Sequence, residues 1–167
     1  MKMAIVDDTI PHSTGGDRVF VAYEDMHANR LAGLYRFEGH YQLLPEHNHF
    51  ETGAPPQAGS YEIKALTEGR LSFHANWVTS DGREQQMIYS VRPDGKEYPN
   101  DNPVIADHMI TTLEDPYTLV TVKKKSGYTV SLARIELSRD ESWLKLIQSG
   151  FTWNGKAFKN IALFLRK

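Results

Sequence analysis

Cysteine is absent from the 167 residues of this chain. That removes thiol nucleophiles, zinc fingers and iron–sulfur ligation together. It also fits a reducing compartment, because small secreted folds usually rely on disulfides. No apolar run approaches the ~20 residues that a membrane-spanning helix needs. Neither sign of charge dominates, since 19 basic and 21 acidic side chains leave a formal charge of −2. That balance argues against a nucleic-acid surface or a polybasic membrane patch. The opening residues Met1 to Asp8 have no apolar stretch before Asp7 and Asp8 interrupt them, so no secretory signal is expected and a cytoplasmic protein is. The Gly-X-Ser-X-Gly elbow, the Walker loop, the Gly-X-Gly-X-X-Gly fingerprint and His-Glu-X-X-His are missing too, so no motif points to an enzyme class or a cofactor.

What is present is a train of short β-type runs separated by turn signals. Tyr61–Leu66, Leu71–Thr79, Glu84–Arg92, Asp107–Leu113, Tyr117–Lys123, Tyr128–Leu137, Trp143–Ser149 and Ala157–Arg166 are rich in Val, Ile, Tyr, Phe and Thr. Between them stand Glu68-Gly69, Asp81-Gly82, Pro93-Asp94-Gly95, Ser126-Gly127 and Asn154-Gly155, which supply the backbone conformations that tight hairpins demand. Period-two alternation puts Leu71, Phe73, Ala75 and Trp77 on one face of their strand, opposite Ser72, His74 and Asn76. The last run is apolar on both faces, which predicts cover on both sides.

Residues 31–44 read as a first long strand with Tyr35, Phe37, Tyr41 and Leu43 in phase and a bend at Gly39. Residues 45–59 read as a loop stiffened by Pro55-Pro56. Residues 7–18 look flexible, and residues 17–30 fit either a strand or a helical stripe, favouring a short helix or irregular cap. The expected organisation is an N-terminal extension over residues 1–30 and a single β-domain over 31–167. The expected fold is all-β: an antiparallel up-and-down meander of about eight to ten strands, closed into a barrel because closure removes exposed edges. A β-sandwich is the competing architecture.

Leu31-Ala32-Gly33-Leu34-Tyr35 resembles the Gly-X-Trp start of the calycins, the superfamily of lipocalins and fatty-acid-binding proteins. Tyr89 to Pro99, with Asp94-Gly95-Lys96-Glu97-Tyr98 inside it, is similar to a hairpin of bacterial lipocalin-like proteins. So are Arg134 followed by the Leu137-Ser138-X-Asp140 turn, and the final Gly155-Lys156-X-Phe158-X-Asn160 strand. Arg166 resembles the calycin arginine that packs over the first-strand aromatic. The chain departs from the pattern where Tyr35 stands for Trp, and where Glu141 rather than Gly follows Asp140. The resemblance implies a lipocalin-like barrel and, through it, a cavity for a small ligand.

The candidate ligand-binding residues are Tyr35, Phe37, Phe73, His74, Trp77, Tyr89 and Arg134. The aromatics either line a pocket or pack as ordinary core. His74 is either a polar anchor in a cavity or a hydrogen-bonded wall residue facing water. Arg134 either clamps an anionic head group from inside or belongs to an outward Arg–Glu ladder. His47, His49 and Glu51 form the densest set of potential metal donors, in a His-X-His pattern that resembles the cupins without their remaining spacing. Lys123-Lys124-Lys125 reads as a solvated run beside a hairpin tip. The function expected is binding of a small apolar or amphipathic molecule in the barrel. The alternatives are an enzyme in that cavity or at the histidine loop, and an interaction domain with a filled interior. No nucleic-acid partner or membrane span is expected, and a homodimer is an open option.

Overall fold

The computed structural model describes residues 28–100, 103–104 and 106–167. A helix, α1, is described over residues 28–35 and leads through a turn into β1 (Gly39–Leu43). The remaining strands among the described residues are β2 (His49–Phe50), β3 (Ala58–Leu66), β4 (Arg70–Val78), β5 (Glu84–Val91), β6 (Asp94–Pro99), β7 (His108–Asp115), β8 (Thr118–Lys125), β9 (Tyr128–Leu137), β10 (Trp143–Phe151) and β11 (Ala157–Arg166). Short 3-10 turns occupy Pro45–His47 and Thr67–Gly69. No helix among the described residues is long and apolar enough to cross a membrane.

The strands form one antiparallel sheet in the order β5-β4-β3-β1-β11-β10-β9-β8-β7-β6, with β2 beside β11. First and last strands meet: Tyr41 pairs with Arg166 and Leu43 with Phe164. β2 continues β1 along β11, with His49 opposite Ile161. The expected closure is therefore made by β1 and β11. One interruption remains among the described strands, because β5 and β6 end the order and share no ladder; the turn at Arg92–Pro93 links them in sequence.

Hairpin chemistry holds the wall together. Thr79 and Thr152 open two tips of the same design, Thr-X-Asp/Asn-Gly. In each, the threonine hydroxyl accepts from the backbone N–H four residues on, at 3.0 Å from Arg83 and 3.1 Å from Lys156. Gly82 and Gly155 close these tips at φ of +83° and +79°, a region costly for any side chain.

One end of the barrel is shut. α1 lays Leu31 and Leu34 against Gly69, and Gly33 against Leu113 and Pro116. Phe37, in the following turn, is fully buried in a core with Leu71, Leu137 and Leu144. The strand expected from residue 31 onward is thus a helix up to residue 35. Leu31 and Leu34 recur at three, a helical spacing, and the arginine and alanine around them are good helix formers. Tyr35 is consequently 58% exposed and lies in no strand.

β6 was not among the expected strands. Its Asp94-Gly95 start and closing Pro99 read as turn chemistry, and a register shift between Asp94 and Glu97 breaks its alternation. The loop expected over 45–59 instead carries β2, and Asn160 ties it down by accepting from the backbone N–H groups of Glu51 and Thr52. The outer side of β11 is only partly covered, with Leu165 40% exposed. The expectations for residues 7–18 and 17–27 lie outside the described residues.

Candidate interior binding site

A cavity of about 290 Å³ remains inside the barrel. Its walls come from both sides of the β5/β6 interruption: Phe73, Met87, Tyr89 and Val91 on one, and Met109, Thr121, Lys123, Ala133, Ile135 and Leu146 on the other. Two features order it along the barrel axis. Toward the shut end the walls are apolar, built by Val91, Leu119 and Ile135. Toward the open end stand Lys123, Gln148 and Asn100. Strand direction produces this gradient, since β8 enters from the shut end at Thr118 and leaves at the open end with Lys125.

Phe73 and Tyr89 stack face to face, with centroids 4.9 Å apart and planes 5° from parallel. Tyr61 meets Phe73 and Phe164 edge-on at 6.4 and 5.1 Å. Burial raises the pKa of both the Tyr61 and the Tyr89 hydroxyl, that of Tyr89 well above the usual value. Thr111 and Thr121 share a hydroxyl–hydroxyl bond of 3.0 Å across β7 and β8. The middle of the cavity is thus largely apolar surface, with the Thr111 and Thr121 hydroxyls serving one another.

Of the candidates read from the sequence, the structure brings together Phe73 and Tyr89 in this lining. Phe37 packs below, in the shut end. Trp77 borders a different hollow, a shallow groove of about 620 Å³ with Gln42, Ser60, Asn76 and Gln86, open to solvent and polar-walled. His74 points away from the cavity and lies 3.9 Å from Glu62, with His40 on the other carboxylate oxygen at 3.6 Å. Arg134 is also on the outer face, where it meets Glu114 at 2.5 Å and Glu136 at 2.9 Å. Of the two readings of Arg134, the outward ladder is the one this geometry forms, with Lys145 joining Glu136 at 2.7 Å. In an alternating strand Arg134 must face opposite to Ala133 and Ile135, which line the cavity.

His47, His49 and Glu51 do not converge. His47 lies 3.8 Å from Glu46, and the Glu51 carboxylate accepts from the Lys159 backbone N–H at 2.7 Å. Among the described residues no group of three histidine or acidic side chains could hold a metal ion.

Lys123 is the residue that sequence reasoning missed. It belongs to the cavity wall, whereas Lys124 turns outward to Glu97 at 2.6 Å and Lys125 donates to the Pro103 carbonyl. Period two does place Lys123 in phase with Leu119 and Thr121. The opposite face, with Val120 and Val122, is equally apolar, so alternation alone could not choose the inner side.

The shut end carries a second polar assembly. Arg166 donates to the carbonyls of Arg36 and Glu38 and to the Tyr41 hydroxyl, and its guanidinium lies 5.2 Å from the centre of the Tyr41 ring. An arginine from the last strand therefore covers an aromatic of the first, as the calycin pattern implies, with Tyr41 rather than Tyr35 as the aromatic. Together with the meander order and the β1–β11 seam, this decides the architecture. The fold is a calycin-like barrel.

Solved structures share this barrel fold. The fluorescent protein UnaG superposes with a TM-score of 0.56 at 11% identity, covering 80% of this chain and 99% of that one. The apo lipid binding protein 8 of Caenorhabditis elegans gives 0.53 at 12% identity, covering 80% and 96%. EF1p2_mFAP2b bound to DFHBI gives 0.50 at 12%, covering 83% and 99%. At such identities the likeness is one of fold. No protein-family model matches the chain, and no curated protein matches it by sequence.

Proposed function

We propose that this calycin barrel binds a small apolar or amphipathic molecule in its interior cavity. The observation that carries the reading is the cavity itself: about 290 Å³ of space behind the Phe73–Tyr89 stack, apolar at depth and polar at the mouth. Binding there would draw on removal of apolar surface from water, worth about 25 cal/mol per Å², with Lys123 and Gln148 meeting the polar end. At roughly 30 Å³ per water-sized unit the space takes about ten such units, so the ligand is compact or protrudes at the open end. Proteins of the same fold support the reading, since one is named as a lipid binding protein and another is bound to DFHBI. A filled-interior interaction domain would not need this void.

Native mass spectrometry of gently purified protein, together with displacement of an environment-sensitive dye by octanol, tests the proposal. Bound mass or saturable displacement is expected, and Leu146→Trp, which fills the cavity, should abolish either without unfolding the chain. Absence of dye uptake and of any displacement across an apolar series would overturn it.

A further inference from the structure

Lys123 follows Leu119 and Thr121 onto the cavity face by regular alternation and stands at the edge of a distortion in the wall. The β8–β9 ladder pairs Lys123 with Ser131 and then Lys124 with Thr129, so Val130 is an extra residue at this point. Bulges of this kind bend a strand and re-aim its side chains. The neighbouring strand is adapted to it. A Cβ on Gly150 would stand 2.7 Å from the Val130 carbonyl oxygen, so only glycine lets β10 pass the bulge.

The amine placed there has unusual surroundings. Among the described residues no carboxylate forms an ion pair with it, although Lys124 and Lys145 each have one. Burial acts on it and pulls its pKa down, and no described residue opposes this with a charge. A lysine desolvated without a counter-ion favours its neutral, nucleophilic form. Gln148 in the same lining offers an N–H to a polar atom of a guest.

We propose that Lys123 is a covalent carbonyl-capturing site, forming a reversible imine with a small lipophilic aldehyde held in the barrel. This builds on the cavity reading above and adds a reaction to it. The neutral Nζ attacks the carbonyl carbon and a proton passes from nitrogen to the carbonyl oxygen. The resulting hydroxyl leaves as water while the C=N bond forms, so no oxidant or reductant is consumed. Water returns through the open end to reverse the step. The apolar depth formed by Phe73, Leu119 and Ile135 takes the alkyl chain, which limits the guest to a compact or medium-chain aldehyde.

Octanal with cyanoborohydride at neutral pH, read by intact mass and peptide mapping, tests this. Lys123, held in the cavity wall where octanal is concentrated, should gain one octyl group severalfold faster than exposed Lys156 or Lys159. Octanol should protect it in the wild-type protein, and Lys123→Arg, cationic but unable to form the adduct, should lose the fast label. Label spread evenly over surface lysines, or equally fast labelling of Lys123→Arg, would overturn the proposal. So would octanol displacing the dye while octanal leaves no trapped adduct; in that case the cavity reading stands and this one falls. If neither octanol nor octanal enters, both fall together. Octanol protection needs no substitution, so the test survives a variant that fails to fold.

Discussion

The Arg166 guanidinium covers the Tyr41 ring at 5.2 Å and also donates to its hydroxyl at 2.8 Å, so one side chain holds both the face and the edge of the other. The Tyr41 hydroxyl passes the bond on to the Phe37 carbonyl at 2.9 Å. Glu141 completes the assembly by bridging Arg36 at 2.7 Å and Arg166 at 3.2 Å. Last strand, first strand, the turn after α1 and the β9–β10 turn are thereby joined at the shut end. Gly39 is part of the arrangement, because a Cβ there would sit 2.9 Å from Arg166 Nε.

Arg166→Ala leaves the Tyr41 hydroxyl and two carbonyls short of donors, and should cost about 2–3 kcal/mol on the scale of charged hydrogen bonds. Arg166→Lys should recover little, because an ammonium lacks the planar fork that spans these acceptors. Urea titrations of the two variants beside the wild type check this. Equal midpoints for wild type and Arg166→Ala would show that the cluster contributes nothing to stability.

Gly150→Ala should destabilise by about 1–3 kcal/mol, the usual range for overpacking. The obstructing atom is the backbone oxygen of Val130, 2.7 Å from the added Cβ, and it cannot swing aside as a side chain would. If the bulge yields, the variant keeps its stability and the position of Lys123 changes instead. Denaturation midpoints and the octanal labelling rate separate these outcomes.

Acid should weaken the β9–β10 turn in a defined window. Ser138 and then Ser142 donate to the Asp140 carboxylate and hold its pKa at about 2, below the usual 3.8 of an aspartate. A depressed carboxylate pKa stabilises the folded state above the unfolded value. That contribution fades as pH falls from about 4 toward 2. Asp140→Asn should flatten this part of the pH–stability curve, which thermal melts across the window would reveal.

The hairpins were legible in the sequence because their chemistry is local: a threonine, an Asp or Asn and a glycine make the tip wherever they fall. The inner aromatics Phe73 and Tyr89 followed from alternation, which is equally local. α1 was misread since Tyr35, Phe37, Tyr41 and Leu43 also satisfy period two. Only packing against Gly69 and Leu113 selects the helical alternative. Arg134 and Lys123 show where the method stops. Each sits in a strand with plausible residues on both faces, and the side that turns inward depends on register with distant strands.

Trp153→Ser should leave stability within about 0.5 kcal/mol of wild type, as surface changes usually do. Trp153 is 98% exposed and occupies the position that Ser80 holds in the matching β4–β5 tip. The turn is set by Thr152, Asn154 and Gly155, so the indole has no part in it. Loss of a solvent-like, red-shifted emission component with an unchanged melting temperature is the expected pair of results.

The unladdered seam between β5 and β6 gives this wall an expansion joint. Met87 and Tyr89 ride on a strand held by β4 on one flank only, so the chamber can dilate around a bulky guest by side-chain rearrangement, with every main-chain ladder intact. Hydrogen exchange should therefore quicken along the free flank of β5 when the interior is empty and slow when a guest wedges against it, while β3, clasped on both flanks, keeps one rate throughout.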